Sequence, residues 1–187
     1  MKVLLIILTI LSSFFTNLEK KTLRSDFVVT VDEGSRDKTP YPGSITMRGN
    51  LFEFTAYGIH AAYDGKTMYS YSDETEELTL TYPTEEELAE TNPLLFAQAV
   101  ADICTATEKT GKDSTQTIIT LVPKDPTQGV DRFVLKIRRA DLMPLQIEMR
   151  EGTKTTTLRL TNPVFETKIP SFVIEPEETT FVNDLRF

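Results

Sequence analysis

The run from Gly43 to Tyr71, GSITMRGNLFEFTAYGIHAAYDGKTMYSY, constrains the chain most, because its apolar residues recur at every second position. Ile45 and Met47 alternate with Ser44 and Thr46, and Phe52, Phe54 and Ala56 alternate with Glu53 and Thr55. A period of two places one set of side chains on one face of a sheet and the other set on the opposite face. Asp64-Gly65 predicts a two-residue hairpin turn, since both residue types tolerate the positive backbone angles that such a turn needs. Strands, not helices, carry this region.

The same alternation recurs along the chain. Asp26 to Glu33 predicts a first strand on Phe27, Val29 and Val31. Gly34 to Pro42 reads as a polar loop, and the prolines flanking Tyr41 argue against a central strand there. Glu76 to Pro83 alternates Leu78, Leu80 and Tyr82. Further strands are predicted at Thr117 to Pro123, Arg132 to Arg138, Leu145 to Arg150 and Thr155 to Leu160, with turns at Gly129, at Asp141 with Pro144, and at Gly152.

Between these groups lies a helical insert. Thr84 and Glu87 have the spacing of a capping box, in which hydroxyl and carboxylate satisfy free amides at a helix start. Asn92-Pro93 predicts a second start, for a helix from Pro93 to about Thr105 that shows Phe96, Val100 and Ile103 on one face. Glu108 to Ser114 then reads as a charged loop, and Phe165, Phe172 and Ile174 precede the acidic stretch EPEE. Many short antiparallel strands interrupted by one helical insert predict a curved sheet or open barrel.

Two readings stand for the amino terminus. Met1 to Phe15 carries a lysine followed by an apolar run, as a secretory signal does, and the run is too short to span a bilayer comfortably. Leu4, Ile7, Leu11, Phe14 and Leu18 also repeat at spacings of three and four, the stripe of an amphipathic helix, and Ser12 to Arg24 read as a helix with one apolar face. Residues 1–11 are therefore a signal peptide or the start of an N-terminal helix, and residues 12–187 form a single domain. Hydrophobic residues at 40% and charged ones at 26% suit a globular chain of 187 residues.

A formal net charge of −8 works against nucleic-acid binding, which needs a basic face. Cys104, the one cysteine, has no partner for an internal disulfide and reads as a small buried hydrophobe in a helix. Nucleophile elbow, zinc-binding helix and glycine-rich phosphate loop are all missing, and His60 is the one histidine. We expect no enzyme, no metal and no cofactor. His60 reads as structural, and the acidic runs Asp73 to Glu77 and Glu85 to Glu87 read as solvated faces. Arg48, between Met47 and Leu51 at a glycine turn, is either a hairpin-end arginine or a functional charge.

The order of these motifs resembles the periplasmic lipoprotein carriers of Gram-negative bacteria, the LolA-like family. The carrying features are SDFVVTV, GSITMRGNLFEF, the hairpin DGKTMYSY, TNPLLFA, LVPKD, FVLKI before MPLQIEM, and a final FVIEP then FVNDLRF, in the same order over about Ser12 to Phe187. The resemblance implies an α+β fold: an unclosed antiparallel β-barrel, a strongly curved sheet with helices capping its concave face. It implies a periplasmic, monomeric carrier that shields the acyl chains of lipoproteins and delivers them toward the outer membrane, with an inner-membrane exporter and an outer-membrane acceptor as partners. For Arg48 it implies a part in lid closure and cargo transfer. Gly49 departs from the proline that often follows this arginine, and Tyr69 stands where tryptophan is common.

Each methylene kept from water is worth about 0.8 kcal/mol, so a carrier must offer a dry, adaptable surface. The alternating positions nominate Phe27, Val29, Ile45, Met47, Phe52, Phe54, Met68, Leu78 and Leu80 as cavity lining, with Phe96 and Val100 as lid. An envelope sensor of lipids or other hydrophobic ligands on the same fold is the competing reading; it would bind lipid without releasing it to an acceptor. A lipoprotein acceptor of this architecture needs a lipid-modified cysteine near its amino terminus, where this chain has none.

Overall fold

The computed structural model of the chain describes residues 16–34, 39–85, 87–88, 103–111, 114–125, 127 and 129–187. Their strands are β1 (Thr22–Asp32), β2 (Pro40–Arg48), β3 (Leu51–Ala56), β4 (Ile59–Tyr63), β5 (Met68–Ser72), β6 (Glu77–Thr81), β7 (Cys104–Thr110), β8 (Gln116–Pro123), β9 (Arg132–Arg138), β10 (Pro144–Glu151), β11 (Lys154–Glu166) and β12 (Phe181–Asp184). All twelve join one unclosed sheet in the order β12-β6-β5-β4-β3-β2-β1-β11-β10-β9-β8-β7. Every neighbouring pair is antiparallel except β12 with β6, which runs parallel. Very little of the described chain is helical.

The short turns follow from backbone sterics. Ala56 pairs with Ile59, leaving Tyr57 (φ 58°) and Gly58 (φ 71°) as a two-residue turn with both central residues at positive φ. At the β2–β3 and β10–β11 hairpins, Gly49 (φ 59°) and Gly152 (φ 58°) take the first central position. The turn expected at Asp64-Gly65 is longer: Tyr63 pairs with Met68, so four residues, 64–67, connect the strands. The Asp64 carboxylate organises them, accepting from the Lys66 amide at 2.8 Å and the Thr67 amide at 2.7 Å, and from the Tyr69 hydroxyl at 3.0 Å. An aspartate that folds its own turn supports a wider loop than the dipeptide rule implies.

Other boundaries shift for identifiable reasons. Pro40 and Pro42 lie within β2, where a loop was expected. There β2 pairs with β1 alone, and β3 joins only from Gly43 onward, so the missing proline amides have an open side to face. The first strand starts at Thr22 rather than Asp26: Leu23, Ser25 and Phe27 alternate as buried positions, and the polar Ser25 hides the alternation in the sequence, while β11 takes the extra residue of the bulge opposite it. The N-terminal helix consequently ends by residue 20, and its earlier part lies outside the described residues. Cys104 opens a strand, not a helix end, and Glu108 continues that strand instead of beginning a loop. The capping box is formed: the Glu87 amide donates to Thr84 Oγ1 at 3.3 Å and the Thr84 amide to Glu87 Oε2 at 2.7 Å.

Candidate functional site

Cross-strand partners share a face, so the register traces one surface through the sheet. Leu121 stands opposite Ala106 and Phe133. Leu135 stands opposite Ile119 and Ile147, and Ile147 opposite Leu158. Leu158 and Leu160 face Val29 and Phe27, and Phe27 faces Gly43. Ile45 and Met47 then meet Phe54 and Phe52, Phe52 meets Tyr63, and Tyr63 meets Met68. Apolar side chains run along this inner face from β7 to β5, interrupted by Glu108 opposite Ile119, Thr117 opposite Ile137 and Ser25 opposite Ile45.

Two buried clusters occupy it. One gathers Cys104, Ile119, Leu121, Phe133, Leu135 and Ile137. The other gathers Leu18, Leu23, Met47, Phe52, Tyr63, Met68 and Met143, with Ile45, Phe54 and Leu88 packed on it. The rings of Phe52 and Phe54 are 6.2 Å apart and those of Phe52 and Tyr63 are 6.0 Å apart. Leu18 and Leu88 reach this cluster from the short helical pieces. Leu23, Phe27, Ile45, Met47, Ile147, Leu158 and Leu160 line a remnant pocket of about 30 Å³. That is room for about one water, far below the roughly 300 Å³ at which ligand pockets begin.

Of the nominated lining residues, Phe27, Val29, Ile45, Met47, Phe52, Phe54 and Met68 share the inner face. Leu78 and Leu80 do not. They pair with Tyr71 and Tyr69 and pack with Ala62 and Ile174 on the other side of the sheet. Alternation identifies which residues share a face but not which face, and one step of register separates the two outcomes. Phe96 and Val100 lie outside the described residues. Sequence reasoning missed the inward residues of β8 to β11, although the same period of two marks them.

Arg48 ends β2 opposite Leu51, at the rim of the second cluster. The hairpin is tied to the N-terminal helical piece, since the Gly49 amide donates to the Leu18 carbonyl at 2.9 Å. Nη1 of Arg48 is buried and has no hydrogen-bond partner among the described residues. A buried donor without an acceptor costs about 1–3 kcal/mol, more when charged. His60 lies away from this rim on β4, with Nε2 2.8 Å from Glu53 Oε1. Among the described residues, no group of three His, Cys, Asp or Glu side chains is placed to hold a metal. No helix of the described residues is long and apolar enough to cross a membrane.

The model of a family described as outer membrane lipoprotein carrier protein LolA matches residues 33–153, about two thirds of the chain. No curated protein matches. Among solved structures, an uncharacterized conserved protein from Thermus thermophilus is similar in fold at 13% identity and a TM-score of 0.65, over 95% of this chain and 98% of that one. A LolA superfamily protein from Nitrosomonas europaea aligns at 8% identity and a TM-score of 0.42, over 87% of this chain and 94% of that one.

Proposed function

The chain belongs to the family of the outer membrane lipoprotein carrier protein LolA, and from that premise we propose that it is a non-catalytic periplasmic carrier for the acyl chains of lipoproteins. The observation that carries this reading is the inner face, where among the described residues apolar side chains from β7 to β5 gather in two buried clusters beside a small apolar pocket. Where these clusters are closed, acyl chains enter by separating groups that now touch each other, so the cargo replaces apolar contacts. That exchange keeps affinity moderate: burial of each methylene contributes about 0.8 kcal/mol, and the broken protein contacts offset part of it. A carrier needs this balance, because a cargo held too firmly is not passed on.

Arg48 is the proposed transfer residue. Its buried Nη1 lacks an acceptor among the described residues, and a cargo ester or a covering segment that brings a carbonyl there satisfies it. The hairpin's bond to Leu18 couples that event to the N-terminal helical piece. Exporter and acceptor in the two membranes are the partners this role requires.

The test is purification of the full chain, wild type and Arg48→Leu, from an envelope fraction, with analysis of bound acylated protein. The carrier reading expects acylated protein in the wild type and more of it in Arg48→Leu, which loads but does not release. Absence of acylated protein from both would overturn the reading. Retention by the wild type in the presence of acceptor membranes would favour a sensor.

A further inference from the structure

The opposite side of the same sheet carries an unexpected charge. On a chain of formal net charge −8, the outward positions of β7 to β11 hold Lys109, Arg132, Lys136, Arg138, Arg150 and Arg159. Register sets Lys109, Lys136 and Arg159 in one transverse row, through Ile118 and Gln146. These three occupy alternate strands, about 10 Å apart at the usual strand spacing. Arg132 stands directly opposite Arg150 on the next strand, and like charges in that position weaken a sheet. Among the described strand residues between these rows, Glu148 is the one carboxylate, 3.8 Å from Arg132. Asp141 and Asp131, in the flanking turns, reach Arg138 at 2.8 Å and Arg150 at 4.0 Å. Lys109 and Arg159 are exposed.

We propose that this outward face of β7 to β11 docks on the surface of an anionic lipid bilayer. The cations are spread over four strands instead of converging on a pocket, which suits a diffuse negative surface better than a protein carboxylate at one fixed place. The arginines best placed to fork onto a carboxylate already have one, whereas in the row of Lys109, Lys136 and Arg159 the half-buried Lys136 donates to the neutral Gln146 Oε1 at 3.2 Å, so the three act as separated point charges. Aliphatic side chains lie between them: Ile118, Val134 and Val122, the last 43% exposed. Basic residues interleaved with exposed aliphatics match the charged and interfacial layers of a membrane surface. This face lies across the sheet from the apolar one, so the inference stands apart from what the inner face holds.

Co-sedimentation of the full chain with phosphatidylcholine vesicles, with and without phosphatidylglycerol, tests it. Binding is expected only with phosphatidylglycerol, and to fall with salt. K109Q/K136Q/R159Q should bind about a hundredfold more weakly, the factor that corresponds to about 1 kcal/mol per basic residue at an anionic surface. K66Q/K168Q, which removes cations elsewhere, should bind as the wild type does. Far-UV circular dichroism and the thermal midpoint establish that each variant is folded, and K109Q/R159Q alone provides a milder pair should the triple change fail to fold. Residues 1–15 are common to all chains, so differences report the face. Equal binding by the triple variant, equal binding to neutral vesicles, or binding to polyglutamate but not to vesicles would each overturn the proposal.

Discussion

At Gly43 a methyl group would lie 2.3 Å from Phe27 Cζ and 2.6 Å from the Thr55 carbonyl oxygen. The ring can rotate; the carbonyl belongs to the β3 backbone and cannot move without disturbing its pairing. Gly43→Ala is therefore expected to destabilise the fold by about 1–3 kcal/mol, read from urea unfolding, and a second change, Phe27→Leu, should recover only part of that loss. Full recovery would mean that the ring alone enforces glycine. Gly43 began the stretch that was most legible in the sequence, yet its role was not, because a glycine at a strand position signals only that something approaches closely. The same limit applies to Arg48. Its position at a hairpin end was readable, whereas the burial of its Nη1 without a partner among the described residues was not.

Elements were legible where long side chains alternate, and obscure where they do not. The period-two run became β2 to β5, and Arg132–Arg138 became β9 without adjustment. β7 was missed because CTATEKT alternates small and polar residues, with Cys104, Ala106 and Glu108 inward and Thr105 and Thr107 outward, a pattern with little apolar contrast. β12 was missed because it pairs with β6 from far along the chain. Phe181 donates its amide to the Glu76 carbonyl at 3.2 Å and Leu185 to the Leu80 carbonyl at 2.8 Å. At its end the Asp184 carboxylate accepts from Arg186 Nε at 2.8 Å, two residues on in the same segment. That hydrogen bond lowers the Asp184 pKa from 3.8 to about 2. A depressed carboxylate contributes above its unfolded pKa and stops contributing as pH falls through the folded one. The local turn that Asp184 makes with Arg186 should accordingly be complete above about pH 4 and lost toward about pH 2. Amide exchange at Arg186, whose amide donates to Asp184 Oδ1 at 3.2 Å, should accelerate across that window, and Asp184→Asn should flatten the change. An unchanged pH profile in Asp184→Asn would place its origin elsewhere.

At the scale of the molecule, an unclosed sheet has two sides that need not do the same work. One side carries the apolar clusters from β7 to β5, while the other buries Ala62, Tyr69, Leu78 and Leu80 beneath the C-terminal segment and turns basic over β7 to β11. The sequence pattern could not separate Leu78 from Phe52, since both lie in alternating strands and both are 1% exposed. Their difference is one of side, set by the register between β5 and β6. Paired substitutions expose it. Leu78→Ala should cost about 2–5 kcal/mol of stability and leave the affinity for a fluorescent fatty acid within about twofold. Phe54→Asp sets a carboxylate on a half-buried inner position, where a charge beside apolar neighbours is costly. It should weaken the same probe at least tenfold, a loss of about 1.4 kcal/mol, at a temperature where both variants remain folded. If Leu78→Ala were the change that abolished probe binding, the acyl-facing surface would lie on the C-terminal side of the sheet, and the division between the two faces would have to be reversed.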